Sequence, residues 1–340
     1  IEARWCEALR SISGTRTAPH KQEPRFKHVR DTQSSPSMSE RFQRFLILKT
    51  LPSFAEIPSQ VAQVVASNTS PRTFAAGEYL YRGGTAALEV QYIVRGECEI
   101  VRNGKPVRRL GPRMVVGGIS ALAAEEQGYD CIALQEMETL SIRVEDSQEI
   151  FEEHFVLLKQ VLRGTSREVL EARRKLGPTA GFGPVAAAFE FPDRPFDLVE
   201  RMAFLRKTFS FGASEIDAIA ELAREIQEVH LPRGELLWKV GDRSAYFLLP
   251  LRGVIDCRAS DPDQRFQLGP GDSVGAIDSL ADERRWYRAE VLEDLVAFRI
   301  DTEVLLEILE DHFSMAIALL KGIATGILGL YDQGSAVDLS

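Results

Sequence analysis

One pattern occurs twice in this chain, and that repeat constrains the fold more than any other feature of the sequence. Residues Phe74 to Gly118 carry FAAGEYLYRGG, YIVRGECEIV and RRLGPRMVVGG, while His230 to Ala276 carry HLPRGELLWKVGD, LPLRGVIDCR and FQLGPGDSVGA. Gly77 matches Gly234 and Gly96 matches Gly253 at an offset of 157 (234 − 77, 253 − 96). Gly111 and Gly269, Gly117 and Gly275, Tyr129 and Tyr287, and His154 and His312 match at 158, so the second copy gains one residue between Gly253 and Gly269. An offset held through helices, strands and turns means two copies of one fold. The period exceeds a solenoid unit, so each copy reads as a whole domain, and 340 residues suit two.

Each copy opens with helical spacing. In the first, Phe42, Phe45, Leu46 and Leu48 precede a break at Pro52, and Ile57, Val61, Val64 and Val65 follow it. The first helix is placed to start at Ser39-Glu-Arg-Phe. In the second copy Ser214-Glu-Ile-Asp is the expected helix start, followed by Ile216, Ile219, Leu222 and Ile226. Short β-suited runs then alternate with glycine turns: Tyr79-Leu-Tyr, Val90 to Val94, Glu97 to Val101, Cys131 to Leu134 and Thr139 to Ile142. Asn103-Gly104 between two such runs is a hairpin signal. Strands about 8–12 residues apart predict an all-β sandwich or barrel. Each copy closes with one long helix, 147–176 and 302–331. Gly177 to Pro195 is a Gly/Pro/Ala-rich linker. The expected organisation is a domain over 38–176, a linker over 177–196 and a second domain over 197–335.

Charge and composition exclude several classes. A net charge of −9 argues against a nucleic-acid partner, which needs a basic face. No stretch is read as approaching the roughly 18 apolar residues of a membrane helix. The four cysteines, Cys6, Cys98, Cys131 and Cys257, share no CxxC spacing, so reduced cytoplasmic thiols are expected rather than a disulfide framework or zinc site. Residues 1–37 are polar, basic and rich in Ser and Pro, without periodicity. They read as a disordered tail or upstream translation rather than a targeting tail, with Met38 as the natural start.

The glycine landmarks, strand spacing and closing helices together resemble the cyclic-nucleotide-binding domain family, which includes kinase regulatory subunits and catabolite-activator-type regulators. Ala76-Gly77-Glu78, Tyr92 to Gly96, Leu110-Gly111-Pro112 and Val116 to Ile119 carry the resemblance in the first copy. Arg233-Gly234-Glu235, Leu249 to Gly253, Leu268 to Asp272 and Val274 to Ile277 carry it in the second. The resemblance implies a mainly β protein with flanking helices, built as two tandem cyclic-nucleotide-binding-like jelly-roll (β-sandwich) domains of eight strands each.

It also implies where a ligand would sit. The family's phosphate-binding cassette reads Phe-Gly-Glu-(aliphatic)-Ala-Leu, a variable spacer, then Pro-Arg-(small)-Ala. Its Glu holds the ribose and its Arg the cyclic phosphate. Here Gly118 and Ala276 stand at the Glu position and Tyr129 and Tyr287 at the Arg position. Arg288 is one residue away, which on a strand turns it to the opposite face. A charge-assisted hydrogen bond contributes about 1.5–3 kcal/mol. Losing both side chains therefore weakens nucleotide binding by about two to four decades. Asp130 and Asp278 are expected to add a carboxylate near any anion. The candidate ligand contacts are Gly117, Gly118, Ile119, Ser120, Tyr129 and Asp130 in the first copy. In the second they are Gly275, Ala276, Asp278, Ser279, Tyr287 and Arg288. No cofactor is assured; the class that fits is a cyclic nucleotide or another small anion.

The remaining polar features carry plain readings. His154 and His312 are capping or packing residues rather than metal ligands, and Trp286-Tyr287 packs beneath the cassette rather than stacking a base. Arg284, Arg285 and Arg288 form a solvated face balanced by Asp282 and Glu283. Arg173-Arg174-Lys175 answers the helix dipole. No Ser/His/Asp, Cys/His or P-loop signature appears, so no enzyme is expected. The chain ends some ten residues after Leu330, which leaves no room for a DNA-binding helix-turn-helix. The expectation is a non-enzymatic cytoplasmic regulatory protein with degenerate cassettes that acts through protein contacts. The alternative is a genuine cyclic-nucleotide or other small-ligand receptor. The cassette tyrosines are expected to fill the space of the lost arginines. Met315 to Leu330 carries more apolar surface than one docking stripe needs. It is expected to pair two chains as a homodimer or to bind a partner protein, with internal packing of the two domains as the alternative.

Overall fold

The computed structural model describes residues 37–84, 87–102, 104–123, 129–176, 194–208, 211–212, 214–259 and 264–333. The expected tail, bar Ser37, and most of the expected linker lie outside the described residues.

The first copy begins with α1 (Met38–Lys49), a 3-10 turn (Pro52–Phe54) and α2 (Ser59–Ser67). The cap of α1 is Ser37, not Ser39. Ser37 Oγ accepts from the Glu40 amide while the Glu40 carboxylate accepts from the Ser37 amide, a reciprocal box that satisfies two otherwise open donors. Eight strands follow: β1 (Ser70–Phe74), β2 (Tyr79–Tyr81), β3 (Glu89–Arg95), β4 (Cys98–Arg102), β5 (Lys105–Leu110), β6 (Val115–Val116), β7 (Tyr129–Ala133) and β8 (Met137–Arg143). They make two antiparallel sheets, in the orders β1-β8-β3-β6 and β2-β7-β4-β5. The short helix α3 (Gly118–Ala123) connects β6 to β7. The Asn-Gly signal marks a hairpin, with Arg102 opposite Lys105 and Gly104 at φ 72°.

The second copy follows the same course with α6 (Leu198–Lys207), α7 (Ile216–Glu225), β9 (Gln227–Leu231), β10 (Leu236–Trp238), β11 (Tyr246–Ala259), β12 (Arg265–Leu268), α8 (Ala276–Leu280) and β13 (Tyr287–Asp301). Among the described residues this copy has five strands where eight were expected. β11 and β13 run unbroken through both layers, and β10-β13-β11-β12 with β9 on β13 is one sheet. Gly253 lies at the bulge of β11: its φ is 92° and a Cβ there would lie 2.4 Å from the Asp294 carbonyl oxygen, so glycine lets the bulged strand pass this close, as Gly96 does in the first copy at φ 90° and 2.6 Å from the Glu136 carbonyl oxygen. Ser214 is buried and does not cap α7, whose N-cap residue is Glu215.

The closing segments differ from the single long helices expected. Each is broken once, at the same repeat position. His154 ends α4 (Val144–Glu153) before α5 (Phe155–Leu176), and His312 ends α9 (Thr302–Asp311) before α10 (Phe313–Gln333). The long helices then exchange partners. α5 packs on α8 of the second copy, α10 packs on α3 of the first, and α5 and α10 pack on each other. One core cluster accordingly runs through both copies, from Ile93, Tyr129 and Leu170 to Ile277, Leu320 and Tyr331.

This arrangement hides the surface expected to pair two chains. Met315, Leu320 and Ala324 have no exposed area, and Ile327 and Leu330 retain 1% each. The apolar surplus of α10 is covered by the first copy, which is the intramolecular alternative. The expectation that no stretch approaches a membrane helix is also corrected. Phe313–Tyr331 has 19 residues and a mean hydropathy of 1.8, long and apolar enough to cross a bilayer, but 56% of that stretch is buried in the fold.

Candidate functional site

In the first cassette, β6 leads through Gly117 into α3. Gly117 has φ 91°, and a Cβ there would meet the Glu89 carbonyl oxygen at 2.6 Å. Gly118 has open space around it, while Ile119 and Ser120 are half-buried. Tyr129 begins β7 and points inward with 4% of its surface exposed. Its hydroxyl donates to the Leu328 carbonyl of α10 at 2.8 Å, and its ring meets Tyr331 edge-on at 5.9 Å. The Arg102 guanidinium lies 4.5 Å from the same ring. Tyr331 closes the far side, where Arg108 donates to its hydroxyl at 2.9 Å and Glu168 of α5 holds both. Burial raises the Tyr81 and Tyr331 hydroxyls above the usual tyrosine range, so both stay protonated donors. Asp130 does not approach the cassette as a free carboxylate, because it accepts from the Gly83 amide at 2.8 Å and fastens a neighbouring turn.

The second cassette is closed by different chemistry. Tyr287 is again inward, 4% exposed, within an aromatic group of Trp238, Phe266 and Trp286. Burial pushes its hydroxyl well above the usual range. Gly275 has φ 83° and leads into α8, where Ala276, Asp278 and Ser279 are all buried. Ser279 Oγ donates to the Gly275 carbonyl at 2.8 Å and lies 3.0 Å from the Tyr246 carbonyl.

Arg285 is the residue that sequence reasoning missed. Read as part of a solvated cluster, it is instead 1% exposed and lies directly beneath Gly275. Its Nη1 donates to the Gly275 carbonyl at 2.8 Å and faces Asp278 Oδ2 at 3.5 Å, and its Nη2 donates to the Tyr246 carbonyl. The guanidinium carbon sits 4.0 Å from the Trp238 ring. Nε has no hydrogen-bond partner among the described residues. Burial pushes the Asp278 carboxyl above its ordinary range, against the pull of Arg285 and of Arg173 from α5. Arg173 therefore does more than answer a helix dipole: it is half-buried, and the Tyr287, Asp278 and Asp272 groups act on it. The variable spacer of the cassette pattern was the available signal, since it permits the arginine two residues before Tyr287.

The sequence model of the cyclic nucleotide-binding domain matches residues 71–154 and 228–312, the two copies described above. The chain belongs to the cyclic nucleotide-binding domain family. No curated protein matches it. Among solved structures, the regulatory subunit of a cAMP-independent protein kinase A from Trypanosoma brucei is similar at 14% identity, covering 84% of this chain and 87% of that one with a TM-score of 0.31. The regulatory domain of Toxoplasma gondii PKA, solved with cAMP, is 12% identical over 81% of this chain and 95% of that one, TM-score 0.31. The N-terminal domain of a transcriptional regulator from Streptomyces coelicolor is 25% identical over 36% of this chain and 89% of that one, TM-score 0.32.

Arg288 points away from the cassette and pairs with Glu290, as the alternation of β13 requires. Asp282 and Glu283 do not balance the neighbouring arginines. They reach α5, Asp282 to Arg163 at 2.8 Å and Glu283 to Arg167 at 3.3 Å. Arg284 donates to the Gly241 carbonyl at 2.8 Å. His312 Nε2 meets Glu221 at 2.9 Å, and His154 ends its helix. Cys98 and Cys131, scattered in sequence, meet on adjacent strands. Their mutual hydrogen bond and burial push the Cys131 thiol far up, where it is unreactive. Cys257 is buried as well, and Cys6 lies outside the described residues.

Proposed function

We propose that the chain is a non-enzymatic regulatory protein whose two cassettes are closed by its own residues, so that it acts through protein contacts rather than by nucleotide uptake. The observation that carries this reading is the 2.8 Å hydrogen bond from the Tyr129 hydroxyl to the Leu328 carbonyl. It joins Tyr129, read at the family's arginine position, to a helix of the other copy, which supports a first cassette closed from within the chain. The family's regulatory character supports the same reading. Because α10 is engaged inside the chain, a partner protein would have to use another surface.

A receptor for a cyclic nucleotide or another small anion is the second reading. One observation favours it: the buried Arg285 keeps Nε without a partner among the described residues. Thermal unfolding with cyclic AMP and cyclic GMP separates the two. Ligand at 100 times its Kd adds about 2.7 kcal/mol of stability. No shift is expected at millimolar nucleotide. A shift that disappears in Arg285→Gln would establish the receptor reading instead.

A further inference from the structure

We infer that Asp278 is the built-in anion of the second cassette: its carboxylate neutralises the buried Arg285 and keeps that site shut to outside phosphate groups. This rests on the closed-cassette reading and names the group that does the closing. Among the described residues Arg285 is the largest of the fully buried side chains, and a buried guanidinium needs a negative partner. Asp278 faces Nη1 at 3.5 Å, with only 3% of its side chain exposed. The two carbonyls that accept from Arg285, those of Gly275 and Tyr246, carry no net charge. Arg173 adds a second cation to the same neighbourhood. The half-buried Asp272 acts on Arg173. The 3.5 Å separation is long for a charge-assisted bond, and Nε is unbonded, so the guanidinium is neutralised without being saturated. It retains donors for an anion of better fit.

The repeat supplies an independent argument. At the offset of 158, Asp278 corresponds to Ser120 (278 − 120) and Arg285 to Gln127 (285 − 127). The first copy lacks both charges and the second has both, as a pair that serves one purpose would require. The first copy's own residues are therefore the substitutions of choice.

Inorganic phosphate is the probe, titrated calorimetrically into the full chain as wild type, Asp278→Ser, Arg285→Gln and the double variant. Asp278→Ser is expected to bind phosphate about tenfold or more tightly than wild type, since one charge-assisted contact is released to the ligand. Arg285→Gln added to Asp278→Ser should abolish the gain. Equal phosphate affinity in wild type and Asp278→Ser, with native circular dichroism, would overturn the inference. Should Asp278→Ser not fold, melting temperatures decide. Arg285→Gln alone should melt well below wild type and the double variant should recover most of the loss, whereas a double variant as unstable as Arg285→Gln overturns the pairing. Cyclic AMP binding by wild type that survives Arg285→Gln would count against the closed-cassette reading alone, whereas binding lost in Arg285→Gln would overturn the inference as well; it is read in a separate titration.

Discussion

At the scale of single residues, the two copies use the same tyrosine for the same purpose with different partners. Tyr129 and Tyr287 are equally buried, and Tyr129 is bonded to a carbonyl of the other copy's closing helix, while Tyr287 packs in an aromatic group. Tyr129→Phe removes a hydroxyl and leaves the ring, so it should cost about 1 kcal/mol in urea unfolding. An unchanged midpoint would show that the bond to Leu328 adds nothing. Gly253 is a stricter case. With φ 92° and the Asp294 carbonyl 2.4 Å from any Cβ, Gly253→Ala has both a conformational and a steric penalty. It should destabilise by several kcal/mol, in the upper tail of single substitutions. Gly77→Ala has the same handedness problem at φ 82° but open space around it, so it should cost clearly less. Comparing the two melting curves isolates the steric part.

Among elements, the closing helices matter most, because each covers the other copy's cassette helix. α5 suits this place by charge. Arg163 and Arg167 are four apart, hence on one face, and meet Asp282 and Glu283 beyond α8. Arg163 also reaches Glu56 of its own copy at 3.3 Å. α10 suits its place by apolar surface, with Tyr331 at the position that Arg173 holds in α5 (331 − 173 is the repeat offset of 158). The Arg163–Asp282 pair is partly exposed, so it is expected to contribute modestly. A double-mutant cycle with Arg163→Ala and Asp282→Ala should give a coupling of about 0.2–1 kcal/mol, falling as salt is raised. Zero coupling at low salt would mean that α5 and the second cassette turn are not held together by these charges.

For the whole molecule, a core shared between copies has consequences that two independent domains would not have. Leu320 has no exposed surface and belongs to that shared core. Leu320→Glu should therefore unfold the chain rather than dissociate a dimer, because it buries a carboxylate without a partner. Light scattering at tens of micromolar is expected to return the monomer mass of 37.9 kDa for wild type. The variant should appear as unfolded or aggregated material. A folded Leu320→Glu monomer arising from a wild-type dimer would reverse the assignment of α10. Heat should unfold both copies in one transition, since neither closing helix rests mainly on its own sandwich.

How much of this was legible in the sequence depends on the range of the interaction concerned. Glycine turns, the Asn103-Gly104 hairpin and the in–out alternation of Tyr287 and Arg288 are local. They are set by backbone sterics and by a period of two, and the sequence by itself determined them. The repeat offset likewise determined two copies of one sandwich and the matching tyrosines. The break at His154 and His312 was present in the repeated histidine but is a matter of local cap geometry that apolar periodicity does not register. The partners of charged and apolar surplus were decided only by the tertiary structure. Arg285 sits among four other charged residues, and its burial goes with the Gly275 and Tyr246 carbonyls it meets and the nearness of Asp278, none of which the charge pattern around it registers. The surplus on α10 showed that a second cover was needed. Which cover it is, the first copy of the same chain, depends on how two sandwiches and two helices pack in three dimensions, and that free energy is spread over contacts more than a hundred residues apart.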